Sequence, residues 1–359
     1  MKPEVFFIPA SSEEDLSSIH KKISKLYNDA DLNSCFDQGD LVAVKTHFGE
    51  GGNVTHIPAT YFKPIITGIK KNKGKPFLTD TCVLYRSQRS DAIVHLQLAQ
   101  DHGFSLTKCG APVIIADGLR GRNEIEVEIP GKIFSKVAIA SEAIIANSMF
   151  VISHVTGHLA SGLGGAIKNL GMGLASRKGK LRQHSSMKPQ IKEDKCTGCE
   201  ECVSWCPEKA ITMQEEIAFI DQKICIGCGE CLTVCHYDAV RYNWETSSGD
   251  LQRKMAEHAL GAISNKKNKT CYFNFLMNIT KDCDCFNIVQ KPIMPDLGIL
   301  VSKDPVAIDK ASLDLIQETA GSDLTTLSYP GLDPMIQLVH GNEIGLGEIS
   351  YILTRIFQG

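Results

Sequence analysis

The sequence predicts an α/β protein whose main domain is built on a largely parallel sheet, with a small α+β domain inserted into it. Three observations carry this prediction. Short apolar, β-branched runs end abruptly in polar residues and glycine; helical patterns lie between them; and one acidic, cysteine-rich segment matches neither of its neighbours.

The runs are LVAVKTHFG (41–49), PFLTDT (76–81), PVIIADG (112–118) and FVISHVTG (150–157), each continuous enough in apolar residues to be a strand buried on both faces. Between them, DAIVHLQLAQDHG (91–103) places Ile93, Leu96, Leu98 and Ala99 at helical spacing before a glycine stop. Parallel strands would bring Thr46, His47, Asp80, Thr81, Asp117 and His154 to one edge, where open α/β sheets bind ligands. After Trp244 the helix and loop patterns resume, with a strand-like DLGILVS (296–302), and Asp304 before Pro305 reads as a helix N-cap.

The foreign segment sets the expected domain boundaries at 1–187, 188–243 and 244–359. From Lys188 to Arg241 it holds six Lys/Arg and ten Asp/Glu, a local charge of −4 in a chain whose total is −3. That total, with a pI near 6.4, offers no electrostatic footprint for nucleic acid. No stretch approaches the roughly 18 apolar residues that span a bilayer, and the N-terminus lacks a secretory apolar region. A cytoplasmic location is expected, so the fourteen cysteines read as metal ligands or buried thiols rather than disulfides.

Eight of those cysteines fall in CTGCEECVSWCP (196–207) and CIGCGECLTVCH (225–236), two copies of C-x2-C-x2-C-x3-C. In this bacterial ferredoxin pattern the fourth cysteine of each run ligates the other cluster. Cys196, Cys199, Cys202 and Cys235 are then expected around one 4Fe-4S cluster, and Cys225, Cys228, Cys231 and Cys206 around a second. Small residues at Gly198, Gly227 and Gly229 let the loop's own N–H groups face the sulfurs. A pair of zinc knuckles is the rival reading, although eight cysteines at this spacing with Pro207 after the fourth favour the clusters. His236 stands where the first run has Pro207. Two neighbouring clusters imply one-electron transfer, outward to a redox partner protein or inward to a site on the larger domain.

Between Ala143 and Lys192 there is no Asp or Glu, yet Lys168, Arg177, Lys178, Lys180, Arg182 and Lys188 are present with glycines 162, 164, 165, 171 and 173. Such a tract suits an anionic guest held by backbone N–H groups and cations; a glycine loop followed by a solvated basic face is the plainer alternative. The candidate cofactor-binding residues are Gly164, Gly165, Lys168, Asn169 and Arg177. His47, His154, His158 and His184 with Lys168 form the candidate catalytic set. Cys283 and Cys285, a C-x-C pair, with Cys271 nearby in sequence, make a third candidate metal or redox site, with free reduced thiols or packing against a sheet as the alternative. Cys35, Cys82 and Cys109 read as core thiols.

VAVKTHFGE, VIIADGL, GHLASGLGGAIKNLGMGLASRKGKLRQHS, NFLMNITKDCDC and LVSKDPVAIDKASLDLI resemble the iron-sulfur-centre proteins grouped as domain of unknown function 362, over nearly the entire chain. A more distant likeness is to the lactate racemase family, since His158, Lys168 and His184 stand in an H-x9-K-x15-H order. That resemblance implies a nickel-pincer nucleotide tethered at Lys168, metal ligation by His184 and acid or base work by His158. The function expected is an iron-sulfur oxidoreductase that reduces a small anionic substrate or cofactor. Two rivals are an electron-transfer subunit without a substrate site and a metal or cluster delivery protein using Cys283 and Cys285.

Overall fold

The computed structural model describes residues 2–85, 87–184, 188–206, 208–225, 231, 234–237, 239–241 and 248–356; Pro207, Gly227, Cys228 and Gly229 lie outside them. An eight-stranded sheet runs in the order Ile352–Arg355, Glu4–Pro9, Gly298–Ser302, Thr270–Leu276, Ser148–His154, Leu41–Lys45, Lys75–Asp80, Val113–Ile115. Every neighbouring pair is parallel except the two made by Gly298–Ser302. The protein is a mixed α/β fold with a large, mostly parallel sheet.

Alternation along Thr270–Leu276 explains the layers, because side chains on a strand point to opposite faces. Cys271, Phe273 and Phe275 join a core with Ile19, Ile23 and Leu26 of helix Leu16–Asp29 and Ile65, Ile66 and Ile69 of helix Lys63–Lys71. Tyr272 and Leu276 face the other core, with Ala166, Ile167 and Leu170, Met255, Ala256 and Ala259, and Val306, Ala307 and Ile308 from three further helices. Burial of both faces is the reason for the continuous apolar runs.

The expected strands are present, but two details differ. The strand expected in PVIIADG is only Val113–Ile115. In helix Ala92–Asp101 the buried residues are Ala92, His95, Leu98 and Ala99, whereas Ile93 is 71% and Leu96 39% exposed. His95 takes the inward position because its ring packs edge-on against Phe48, 5.6 Å between centroids.

The sheet draws strands from both sides of the cysteine-rich segment: Ser148–His154 pairs directly with Thr270–Leu276. The segment has two short antiparallel ladders, Gln190–Ile191 with Val240–Arg241 and Ile211–Gln214 with Ile217–Ile220. Glu215 and Glu216, both at positive φ (47° and 67°), turn the second ladder tightly. Cys202, Ile211, Ala218, Ile220, Cys231, Val234 and Val240 make a core of their own. Arg122 of the larger unit lies over the Trp205 ring, 4.1 Å from its centroid. Among the described residues no helix is long and apolar enough to cross a membrane.

Candidate functional site

The carboxyl ends of adjacent parallel strands open into a crevice of about 990 Å³. Leu41–Lys45 delivers Lys45, Thr46 and His47 to it; Lys75–Asp80 delivers Asp80 and Thr81; and Ser148–His154 delivers His154. The short strand Thr156–His158 adds His158, helix Ala166–Gly171 adds Lys168 and Asn169, and helix Arg177–His184 ends on His184. Cys283, Asp284 and Cys285 enter on the loop beyond Thr270–Leu276. Among the described residues, none from 188–241 lines it.

Lys45 is 1% exposed and makes an ion pair with Asp80 at 2.9 Å and a hydrogen bond to Asn169 Oδ1 at 2.7 Å. Burial pushes the Asp80 carboxyl up, but Lys45, His47, His95 and Arg89 together hold it below the usual carboxylate range. Arg89 in turn pairs with buried Glu50 at 3.0 Å.

Beside this network lies the sulfur pair. His47 Nδ1 accepts the Gly49 N–H at 2.9 Å, which puts the ring proton on Nε2, 3.3 Å from Cys285 Sγ. The neighbouring Cys283 thiol, opposed by burial and helped by Lys168 and His47, holds Cys285 well below an ordinary thiol, while Cys283 is pushed well above. Lys168 loses basicity to burial but regains more from Cys283 and Cys285, so it stays an ammonium.

The histidines differ in what they can do. His154 Nδ1 bonds Asp284 at 2.9 Å and its Nε2 bonds the Met277 carbonyl at 2.9 Å, so both nitrogens are committed to fixing the Asp284 segment. His158 Nδ1 accepts from the Ser161 N–H at 3.0 Å and the Ala160 N–H at 3.2 Å. Burial and the Lys168 charge keep it neutral, leaving an Nε2–H donor, which is the wrong tautomer for ligating metal through that nitrogen. Burial, with Lys254 and Lys180, brings His184 to about 4. Burial likewise brings Lys180 to about 8, although its Nζ donates to Thr81 Oγ1 and the Ala175 carbonyl, each at 2.6 Å.

Two sequence expectations need correcting. Arg177 does not line the crevice; its side chain packs at Gly121 and reaches the Leu84 carbonyl at 3.4 Å. Cys271 points into the opposite core, against Cys35, and cannot join Cys283 and Cys285. Gly164 and Gly165 line the crevice beside Lys168 and Asn169, and the first N–H groups of helix Ala166–Gly171 are engaged there: Asp309 accepts the Ala166 and Ile167 N–H groups at 2.7 and 2.9 Å, and occupies the space a Gly165 side chain would need. Gly164 accommodates Thr156, and Gly171 the backbone of Met255. Lys45, Glu50 and Arg89 also line the crevice, and no sequence pattern announces them, because an isolated charged residue at a strand end or in a loop repeats nothing.

In the cysteine-rich segment, Cys196, Cys199, Cys202 and Cys235 line one cavity with Met213, Ala218 and Tyr237. Burial, then the neighbouring thiols of Cys196, Cys199 and Cys235, push Cys202 up to about 11. Backbone N–H groups of Ala218, Ala210 and Ala239 point at the sulfurs of Cys196, Cys206 and Cys235, at 3.4, 3.2 and 3.3 Å. Cys225 and Cys231 belong to the same small core, and Cys228 lies outside the described residues. Among the described residues no three His, Cys, Asp or Glu side chains are arranged to hold a single metal ion.

Two solved structures are similar to the chain. A Thermotoga maritima protein is 11% identical, with a TM-score of 0.43, 86% of this chain covered and 58% of the other. The lactate racemase apoprotein of Thermoanaerobacterium thermosaccharolyticum is 13% identical, with a TM-score of 0.39, 75% of this chain covered and 50% of the other. The chain thus spans between half and three fifths of the length of these two. No curated protein matches it. The family model described as Domain of unknown function (DUF362) matches residues 42–314, which is most of the chain and includes every crevice residue named above, and the protein belongs to that family.

Proposed function

We propose that this protein is an iron-sulfur oxidoreductase in which Cys196, Cys199, Cys202 and Cys235 hold one 4Fe-4S cluster and Cys225, Cys228, Cys231 and Cys206 a second. Electrons would serve the crevice, where a small anionic substrate or cofactor is reduced. The observation that carries the reading is the ring of Cys196, Cys199, Cys202 and Cys235, because it joins three cysteines of one run to the fourth of the other.

The donor set fits. Four cysteines that line one cavity, three from the first run and one from the second, match the ligand set of a cubane cluster. N–H groups directed at three sulfurs offset the charge of thiolates bound to iron. When bound, the clusters supply one-electron chemistry at low potential. The chain's own residues then hold the substrate. Lys168 and Lys180 attract an anion, the neutral His158 offers an Nε2–H to an oxygen that gains charge, and buried Lys45–Asp80 keeps the wall rigid. An electron carrier without a substrate site would have no use for buried charges around a cavity of about 990 Å³.

Anaerobic purification, with iron and sulfide analysis and electron paramagnetic resonance after dithionite, tests the reading. About eight irons per chain are expected. Zinc in their place would overturn it. Mass spectrometry of molecules retained by the wild type, and lost in Lys168→Met, would identify the anion.

A further inference from the structure

We propose that Cys283 and Cys285 form a redox-active dithiol in the crevice, with Cys285 the attacking sulfur, Cys283 the resolving one, and a small anionic disulfide the substrate class. The inference deepens the function proposed above and rests on it only for the source of electrons.

The geometry separates the two sulfurs by role. Cys285 Sγ receives the His47 Nε2–H at 3.3 Å, and that donor is fixed by the Gly49 N–H on Nδ1. Cys283 lies two residues away on the same loop, beside Lys168, and lines the same crevice. The His47 N–H therefore favours charge on Cys285, and the proton is left to Cys283. Their spacing of one residue keeps the resolving thiol in contact with the sulfur it must attack. Asp284 between them is clamped by His154 at 2.9 Å and by Thr55 Oγ1 at 3.0 Å, so the pair is held rather than left on a mobile loop. Both sulfurs line the crevice, where Lys168 and Lys180 supply positive charge.

The Cys285 thiolate attacks one sulfur of RS–SR′, forming the Cys285–SR bond and releasing R′S⁻. Cys283 sulfur then attacks Cys285 sulfur, closing the Cys283–Cys285 disulfide and releasing RS⁻, which takes the proton Cys283 gives up. The substrate is reduced by two electrons and the dithiol is oxidised by two. Restoring the thiol and thiolate takes two electrons and one proton from a reductant; a one-electron iron-sulfur donor is the class proposed, and dithiothreitol stands in for it below.

The test uses the full chain, purified anaerobically, reduced with dithiothreitol and desalted. It is then exposed to dithiodiglycolate or to cystamine, disulfides of similar length and opposite charge. Remaining thiols are alkylated and mapped by mass spectrometry. The Cys283–Cys285 disulfide is expected, formed about tenfold or more faster with dithiodiglycolate. Cys283→Ser traps a mixed disulfide on Cys285, and Cys285→Ser yields neither product. A pair that stays reduced, an equal or faster reaction with cystamine, or undiminished reaction in Cys285→Ser would overturn the proposal; the wild-type mapping decides without either variant. Iron and sulfide are measured in the same sample. Oxidation of the pair without clusters would sink only the function proposed above, and intact clusters beside an inert pair would sink only this inference.

Discussion

In the cysteine-rich segment, Cys196, Cys199, Cys202 and Cys235 line a shared cavity, and apart from burial the groups that press on Cys202 are the other thiols. In the crevice, Cys285 faces His47 and Lys168, and its charge is balanced before any ligand arrives. The contrast is what the two proposed roles would require. Thiolates that crowd one another need outside positive charge, which is what an iron cluster brings. A thiolate already furnished with a cation and an N–H donor is prepared to attack an electrophile.

The largest expected effect breaks the first side of that contrast. Cys235→Ser removes the one sulfur that the second run contributes to the first ring, so one cluster should be lost and about four irons per chain remain. Iron analysis and electron paramagnetic resonance measure it. Labelling of Cys285 by iodoacetamide should not change; a parallel loss would mean that the two sulfur groups are one system.

The next effect is on the crevice side. His154→Phe leaves Asp284 buried without its ionic partner, at a cost of about 3 kcal/mol in urea denaturation. Burial opposes the charge on His154, but Asp284 wins and raises its pKa, so its contribution is present below about 6.5 and is lost as pH rises through the folded value. Asp284 is pushed up by burial yet held at about 2 by His154, with His47 and His56 also facing it. Its contribution is present above about 3.9 and fades as pH falls from there toward about 2. The gap between wild type and variant should therefore be widest between about pH 4 and 6.5 and shrink on the alkaline side. A gap that is flat with pH would show that His154 acts by shape alone.

The same contrast explains what could be read in the sequence. The eight module cysteines are legible because cluster ligation is local: seven residues span Cys196, Cys199 and Cys202. The sheet is legible where buried strands are continuous apolar runs, but Thr270–Leu276, fully buried yet broken by Asn274, and Glu4–Pro9 and Ile352–Arg355 near one edge carry no comparable pattern. His47 and Cys285 are 238 positions apart, and nothing in either neighbourhood announces the other. Asp309 hides most effectively, since an acid in the middle of helix Pro305–Ala320 looks like a solvated face and is in fact buried under the Ala166 and Ile167 N–H groups. Asp309 fills the space a side chain at Gly165 would need, so that glycine serves packing as well as lining the crevice.

The smallest effect lies between the two regions. Arg122 stacks on Trp205 with its guanidinium carbon 4.1 Å from the ring centroid, and Trp205 remains 43% exposed. A cation over an exposed indole contributes about 0.5–1 kcal/mol. Arg122→Ala should lower the thermal transition of the cysteine-rich segment by a few degrees, followed through tryptophan fluorescence, with Arg122→Lys retaining part of the contact because a point charge stacks less well than a planar one. Neither variant should alter the rate at which Cys285 is alkylated, since Arg122 does not line the crevice. If alanine slows that reaction while lysine restores it, the stacked pair is a coupling between the two sulfur groups and not merely a fastening.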